Sequence, residues 1–231
     1  MPTAVLCRHE KIIQILEQSG IRTIVIPPAP FFANSTKMHA DIQLFAAKGA
    51  FFVHPGFSVE SESELSQLGS VIRCSPVLKD SYPHDCSYNA FFTGKYLFHN
   101  LALTAPEIMI FCKKNNIKTV HINQGYSRCS ILPVSAEAAV TSDIKAAESM
   151  RECGIDVLLI RPGGILLEGF KYGFIGGCGG FSDKTVFLSG NPLNLPDGEN
   201  ILAFAEKHGK NIVSPDGSAV DIGSIIFLDW T

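Results

Sequence analysis

The alternation of hydrophobic and polar residues along the chain repeats one local pattern five times. A stretch with helical spacing ends at glycine or asparagine, and a short segment of strand character follows it. The five junctions read SGIRTIVIP, LGSVIRCSP, NNIKTVHIN, CGIDVLLIR and HGKNIVSPD. Glycine and asparagine tolerate the left-handed conformation that closes a helix, so each junction predicts a helix cap followed by a strand.

The helical segments before these junctions carry their apolar residues on one side. In the first segment Ile12, Ile13 and Leu16 share a face, and in the last Ile201 and Phe204 do so. A helix with one apolar side lies on the surface of a core. We therefore expect five surface helices.

A second block with strand character lies between each strand and the next helix. In HADIQLFAAKGAFFVHP, for example, a turn at Lys48 and Gly49 separates two short strands. The repeating unit is therefore strand, strand, helix, strand. The last block, AVDIGSIIFLDW, has no helix after it, and the chain starts with a helix and a strand that lack a hairpin. Joined, the two ends complete a fifth unit.

Five units with complementary ends predict a closed ring, because closure leaves no exposed sheet edge. In this ring the segment from Ala219 to Trp230 is expected to pair beside the strand from Thr23 to Ile26. This pairing would place the two chain ends in one unit.

Composition narrows the class of protein. A chain of 231 residues that is 46% apolar can bury a sizeable core, so we expect one domain spanning 1–231. The net charge is −3 with both signs mixed along the chain, which gives nucleic-acid binding no support. No apolar run approaches the roughly 20 residues of a membrane span, and the first residues hold too short an apolar stretch for a signal peptide. We expect a cytoplasmic protein whose partner is a small molecule or another protein.

The cysteines are scattered and odd in number, and no two form a Cys-x-x-Cys pair or lie at zinc spacing from a histidine. They are Cys7, Cys74, Cys86, Cys112, Cys129, Cys153 and Cys178. The sequence therefore predicts no disulfide framework, no metal site and no cofactor.

A ring of five such units resembles the pentein superfamily, the fivefold α/β propeller of guanidino-group-modifying enzymes and of the initiation factor six family. The segment NAFFTGKYLFHN is similar to the second unit of dimethylarginine dimethylaminohydrolases, and QGYSRCSILPV with AAVTSDIKAAESM is similar to their third. DGSAVDIGSIIFL lies where their closing unit carries the nucleophile. The resemblance implies an α/β fold, a closed five-bladed propeller of ββαβ units with pseudo-fivefold symmetry.

The resemblance also implies where a site would lie, because the first strand of each unit lines the central axis. Residues near 39–41, 86–89, 124–129, 176–180 and 216–223 are expected to converge there. The converging polar residues are His39, Asp41, Asn89, Gln124, Tyr126, Arg128, Cys129, Cys178, Asp216 and Asp221. Of these, the expected ligand-binding residues are His39, Asp41, Asn89, Gln124, Tyr126, Arg128, Cys129 and Asp221.

Enzymes of the superfamily hold a guanidinium with carboxylates, move protons with a histidine and attack with a cysteine. By resemblance, Asp41 matches the substrate-holding acid, and Asn89 falls where a second acid would be. The place of the histidine is taken by Tyr126, Ser127 or Arg128, and that of the cysteine by Asp221, Ile222 or Gly223. The usual catalytic pair is therefore expected to be absent.

Several residues have two interpretations. On a predicted strand His39 and Asp41 point to the same side, either into the channel or into a fold-supporting pair. Arg128 is either a solvated charge or a buried one that needs an anion such as Asp41 or Asp221. Glycines flank Cys178, which is then either an accessible, relocated nucleophile or a small residue packed where strands approach closely.

Three functions remain open. We favour a protein that binds a guanidino, amino-acid or amide-type ligand in a polar central channel. The second is a hydrolase or transferase acting on carbon–nitrogen bonds of guanidino compounds, with Cys178 or Cys129 as nucleophile and His39 as base. The third is a factor like initiation factor six, which binds a ribosomal or other protein.

Overall fold

Seven α-helices occur in the part of the chain that the computed structural model describes, residues 1–30, 32 and 35–229. They are α1 Glu10–Gln18, α2 Ala40–Gln43, α3 Val59–Ser66, α4 Pro106–Lys114, α5 Ser127–Ser130, α6 Ile144–Glu152 and α7 Gly198–Lys207. Helices α2 and α5 are single turns, and the other five are the predicted surface helices. None of the described helices is long and apolar enough to cross a membrane.

Helix α6 illustrates how the sequence sets the ends and the orientation of a helix. The Asp143 side chain accepts a hydrogen bond from the backbone N–H of Ala146 at 3.0 Å, a cap that contributes about 1 kcal/mol. Ala146, Ala147 and Met150 are buried on one side of the helix. Gly154 follows with a φ of 81°, the left-handed conformation that its junction predicts.

Short strands alternate with these helices. They are β1 Thr3–Cys7, β2 Arg22–Ile26, β3 Leu44–Ala47, β4 Ala50–Val53, β5 Ser70–Arg73, β6 Phe91–Phe92, β7 Tyr96–His99, β8 Lys118–His121, β9 Ile131–Ser135, β10 Ala138–Thr141, β11 Asp156–Leu159, β12 Ile165–Leu166, β13 Gly179–Ser182, β14 Thr185–Leu188, β15 Asn211–Val213, β16 Ala219–Val220 and β17 Ile226–Phe227. Within the described residues they form five three-stranded sheets and one two-stranded pair, β12 with β16.

Four of the three-stranded sheets have the predicted order of strand, strand, helix, strand. In β3-β4-β5, β6-β7-β8, β9-β10-β11 and β13-β14-β15 the first two strands are antiparallel and the third returns parallel to the second. A parallel return requires a crossover, which helices α3, α4, α6 and α7 supply.

The fifth sheet joins the two ends of the chain in the order β17-β1-β2. Strand β1 is antiparallel to β17, with Ala4 opposite Phe227, and parallel to β2. The sequence analysis missed β1, and the expected pairing of the C-terminal segment directly beside β2 is wrong because β1 lies between them. Strand β16, at the start of the expected segment, pairs with β12 instead. The end of the segment, Trp230, lies outside the described residues.

In each three-stranded sheet the first two strands are buried, and the third strand is more exposed. Every residue of β3 and β4 is buried, whereas β5 has only exposed and half-buried positions. Strands covered on both faces are apolar at consecutive positions, which explains the sequences LFAA and AFFV. The first strand of each sheet therefore lies inside the molecule.

Short helical turns precede three of these inner strands. Helix α2 precedes β3, α5 precedes β9, and a 3₁₀ turn at Gly176–Cys178 precedes β13. His39 is the N-cap of α2 and Asp41 lies in its first turn. The interpretation of these two residues as same-face positions on a strand is therefore wrong, although both side chains are buried at the centre.

Candidate functional site

Arg128 lies at the centre of the fold with its guanidinium enclosed by backbone carbonyls. Nη1 donates to the carbonyl of Gly176 at 3.0 Å and, at 3.4 Å, to that of Ile131. Nη2 donates to Gly179 at 2.9 Å and to Ile225 at 3.1 Å. Burial lowers the pKa of Arg128, and nearby acidic groups, Asp41 first among them, oppose this shift. Arg128 was expected to bind a ligand, but the structure uses its donors to tie three inner segments together.

Asn89 holds the turn that carries Cys129. Its Oδ1 accepts from the backbone N–H of Cys129 at 3.1 Å and from that of Arg128 at 2.9 Å. Its Nδ2 donates to the backbone carbonyl of Asp41 and to Sγ of Cys129, both at 3.1 Å. A carboxylate could not make the last two bonds, which explains an amide where the resemblance expects an acid. The side chain positions the site and has no donor left for a ligand.

Asp41 and Cys129 form a buried polar contact. Oδ2 of Asp41 accepts from Sγ of Cys129 at 3.0 Å and also from Oγ of Ser224. Oδ1 of Asp41 has no hydrogen-bond partner among the described residues. Burial, followed by the charges of Asp41 and Asp221, raises the pKa of the Cys129 thiol well above its ordinary value. The thiol is therefore protonated at neutral pH.

His39 faces Asp221, and Asp221 is held by the backbone. Oδ2 of Asp221 accepts from the N–H of Phe174 at 2.8 Å and Oδ1 accepts from that of Gly223 at 3.2 Å. A Cβ atom at Gly177 would lie 1.9 Å from Oδ1 of Asp221, so only glycine permits this approach. Burial raises the pKa of Asp221, and the charge of His39 opposes the shift. His39 Nε2 is 3.5 Å from Oδ1 of Asp221.

Three side chains at this centre have the composition of a metal-binding set. The ligand-type atoms of His39, Asp41 and Cys129 lie within 4.8 Å of one another, and all three residues are buried. No local zinc spacing in the sequence marks this set. The residues come from two segments that are distant in the sequence.

A cavity of about 380 Å³ opens above this centre. Its lining residues are Thr36, His39, Ile42, Asp80, Ser81, Tyr82, Asp85, Tyr126, Cys129, Leu167, Phe170, Tyr172, Phe174 and Asp221. This set contains three aspartates and five aromatic rings, and among the described residues no lysine or arginine lines the cavity. Four expected site residues, His39, Tyr126, Cys129 and Asp221, therefore meet in one cavity.

Asp85 is a cavity residue that the sequence analysis missed. Its Oδ2 accepts from the Tyr126 hydroxyl at 2.7 Å, and its Oδ1 has no hydrogen-bond partner within the described chain. Burial raises the pKa of Asp85, and the hydrogen bond from Tyr126 opposes the shift. The aromatic wall of the cavity consists of Tyr82, Tyr126, Phe170, Tyr172 and Phe174. Of these only Tyr126 was expected, although the alternation of aromatic residues in EGFKYGF was a visible signal.

The other six expected residues do not line this cavity: Asp41, Asn89 and Arg128, described above, and Gln124, Asp216 and Cys178. Gln124 donates from Nε2 to Asp143 at 3.0 Å and accepts from the N–H of Tyr126 at 3.0 Å, so it shapes the loop that carries Tyr126. Asp216 is exposed and lines a different depression.

Cys178 is also outside the cavity and is fully buried. Its thiol lies 3.4 Å from the carbonyl oxygen of Phe174. Burial, followed by the charge of Asp221, raises its pKa well above the ordinary value. Of the two interpretations of Cys178, the structure agrees with the packed one, in which the flanking glycines allow backbone segments to approach closely.

Comparison with known proteins agrees with this architecture. A family model described as "Family of unknown function (DUF6873)" matches residues 5–226. No curated protein sequence has a significant match to the chain.

Solved structures that resemble this chain include dimethylarginine dimethylaminohydrolases and an arginine dihydrolase. A dimethylarginine dimethylaminohydrolase adduct with S-methyl-L-thiocitrulline has a TM-score of 0.61 at 9% identity, over 97% of this chain and 98% of that one. The dimethylarginine dimethylaminohydrolase from Pseudomonas aeruginosa complexed with citrulline has a TM-score of 0.59 at 11% identity, over 93% and 91%. The N-terminal domain of the cyanobacterial arginine dihydrolase ArgZ has a TM-score of 0.58 at 9% identity, over 98% and 97%. The resemblance to the pentein superfamily is confirmed, and at these identities it establishes the fold alone.

Proposed function

We propose, for a chain that belongs to the DUF6873 family and has the pentein fold, that it binds a small organic cation of the guanidino or amino type. The observation that carries the proposal is the cavity lining of three aspartates and five aromatic rings, without lysine or arginine among the described residues. Such a lining attracts a positive charge and offers flat apolar surfaces to a planar group.

Asp85 is the acid best arranged to receive the cation. One carboxylate oxygen is held by Tyr126, and the other has no hydrogen-bond partner among the described residues. A guanidinium or ammonium group would supply the missing donor, and charge-assisted bonds of this kind are about twice as strong as neutral ones. Because burial raises the pKa of Asp85, a bound cation would also favour its ionised form.

The aromatic wall would supply the remaining contact. The ring centroids of Tyr82 and Tyr126 lie 5.7 Å apart, and those of Tyr126 and Phe174 lie 6.4 Å apart. A cation held over such a ring face gains about 0.5–2 kcal/mol, depending on how far it is desolvated.

Thermal denaturation with a panel of guanidino compounds, amino acids and neutral amides tests the proposal. We expect a cationic compound to raise the melting temperature, since a ligand at 100 times its Kd stabilises the native state by about 2.7 kcal/mol. Asp85→Asn retains an acceptor for Tyr126 and should weaken binding at least about tenfold through loss of charge. Asp216→Asn, at an exposed position outside the cavity, is the matched control. Stabilisation by neutral amides alone, or an unchanged shift in Asp85→Asn, would contradict the proposal.

The geometry favours binding over covalent catalysis by a relocated cysteine. Cys178 does not line the cavity. Cys129 lines it, but its Sγ lies against the Asp41 carboxylate, and burial keeps the thiol protonated. A thiol in this state is a weak nucleophile.

We further infer that the five three-stranded sheets close into a five-bladed ring. The inference is supported by the sheet that joins β17 to β1 and by the N–H of Leu228, which donates to the carbonyl of Thr3 at 2.9 Å. A circular permutant that links the two ends and opens the exposed turn at Lys48 and Gly49 should therefore fold cooperatively. Failure to fold, while the same linker is tolerated in the original order, would contradict closure.

A further inference from the structure

Two neighbouring side chains, His39 in the cavity wall and Asp41 beneath it, have polar atoms that no hydrogen bond uses. Among the described residues, Nδ1 and Nε2 of His39 and Oδ1 of Asp41 are buried without a hydrogen-bond partner. His39 is 3% exposed and Asp41 is 1% exposed, so solvent does not satisfy these atoms. A buried polar group without a partner costs about 1–3 kcal/mol, and two such residues side by side require an explanation.

The third member of the cluster is Cys129, whose Sγ lies 3.0 Å from the other carboxylate oxygen of Asp41. The ligand-type atoms of His39, Asp41 and Cys129 all lie within 4.8 Å of one another. In a tetrahedral zinc site with bonds of about 2.0–2.3 Å, neighbouring ligand atoms are about 3.3–3.8 Å apart. Side-chain adjustments of about 1 Å would bring these atoms onto one ion.

We propose that His39, Asp41 and Cys129 form a binding site for a divalent transition metal of the zinc type. His39 and Cys129 also line the cavity, so the fourth coordination position would open into it. Three protein ligands and one open position are characteristic of zinc sites that take water or a ligand as the fourth partner.

The charges of the three ligands match a divalent ion. The thiolate and the carboxylate together carry two negative charges, and the imidazole coordinates in its neutral form. On binding, the metal replaces the thiol proton: an S–H bond breaks, a sulfur–metal bond forms, and the proton leaves to solvent. Because no redox change occurs, no oxidant or reductant is needed.

Each proposed ligand is oriented by a second side chain. The carboxylate of Asp221 lies 3.5 Å from Nε2 of His39, Ser224 donates to Asp41, and Nδ2 of Asn89 donates to Sγ of Cys129 at 3.1 Å. Carboxylates beside a metal-binding histidine fix its tautomer and orientation. Asp221 and Asn89 are therefore positioning residues for the metal site.

This inference goes beyond the proposed ligand binding and does not depend on it. The cation site is centred on Asp85 and the aromatic wall, whereas the metal site is formed by the cavity floor. Asp85→Asn therefore tests the first site, and Cys129→Ser tests the second.

Cobalt(II) is the probe that tests the metal site, because its spectrum reports both geometry and thiolate coordination. We expect the metal-free full-length chain to bind one cobalt ion, with a thiolate-to-cobalt charge-transfer band and the intense visible bands of tetrahedral coordination. Zinc(II) should displace the cobalt. Cys129→Ser should abolish the charge-transfer band, and Asp221→Asn should weaken cobalt binding about 10–100-fold.

The control is Cys153→Ser, since Cys153 is the least buried of the cysteines and lies outside the cluster. This variant should bind cobalt like the wild type. Absence of a charge-transfer band in the wild-type titration would overturn the proposal without reference to any variant. A band that persists in folded Cys129→Ser, or one that disappears in Cys153→Ser, would assign the metal to an adventitious thiol and would also overturn it.

Discussion

Two buried histidines differ in whether their ring nitrogens are hydrogen-bonded. His99, at the end of β7, has both ring nitrogens in hydrogen bonds, with the Thr104 hydroxyl at 2.7 Å and the Gly125 carbonyl at 2.8 Å. His39, on the cavity floor, is almost equally buried, yet neither of its ring nitrogens is hydrogen-bonded within the described chain. Satisfied buried groups stabilise a fold, whereas unsatisfied ones mark a place where something else can bind.

Arg128 resembles His99, because its buried side chain is also held by hydrogen bonds. Four backbone carbonyls accept hydrogen bonds from its guanidinium, and the nearby charges of Asp41 and Asp221 also favour its charged form. Asp41, on the same axis, has one carboxylate oxygen without a partner among the described residues. Within the same buried centre, residues whose polar atoms are all hydrogen-bonded therefore support the fold, and residues with unpaired polar atoms mark the candidate site.

The largest predicted loss of stability is that caused by replacing Arg128. Replacing Arg128 with methionine should lower the free energy of unfolding by about 4 kcal/mol, because several buried carbonyls lose their donors at about 1–3 kcal/mol each. Urea denaturation measures the change. Arg161→Met is the control: Arg161 is exposed and pairs with Asp197, so it should cost no more than about 1 kcal/mol. Similar losses in the two variants would show that Arg128 is not part of the scaffold.

A direct comparison of the two histidines gives the next largest effect. His99→Leu should destabilise the protein by about 2 kcal/mol more than His39→Leu, because His99 makes two hydrogen bonds to buried partners, whereas His39 makes none within the described chain. The measurement is urea denaturation of the metal-free, ligand-free protein for both variants. Equal destabilisation would mean that the ring nitrogens of His39 do not differ in their contribution to stability from those of His99.

The third prediction, whose effect is smallest when expressed per pH unit, is a pH dependence caused by His99. Burial lowers the pKa of His99 from 6.5 to about 4, so the unfolded chain binds a proton more readily than the folded one. Stability should therefore fall as pH decreases from about 6.5 to about 4, by on the order of 1 kcal/mol per pH unit. His99→Gln should remove this part of the slope in unfolding measurements across that range. An unchanged slope would assign the acid sensitivity to other groups.

The repeating architecture was predictable because it depends on local patterns. Caps such as Gly154 and the apolar face of α6 locate a helix without reference to the rest of the chain. Strand β1 was missed because its defining partners, β17 and the later strand β2, are set by tertiary pairing. Periodicity within a short window does not contain that information.

The site was only partly predictable for the same reason. The family resemblance brought His39, Cys129 and Asp221 to one place, and the structure places all three around one cavity. Asp85 was missed because it lies in a loop without a periodic pattern, where only the folded chain brings it opposite Tyr126. The burial of Cys178 also depends on close backbone packing that sequence spacing does not reveal.

The sheet β17-β1-β2 has a consequence for how the protein is made. Strand β1 is synthesised long before β17. At about 5–20 residues per second, the ribosome needs on the order of 10–50 s for the residues between these two strands, during which one edge of β1 has no partner. The segment that leads into β17 also brings in the Ile225 carbonyl that holds Arg128. The central scaffold can therefore form only after β17 has been synthesised, and nascent chains should depend on chaperones that shield an open strand edge.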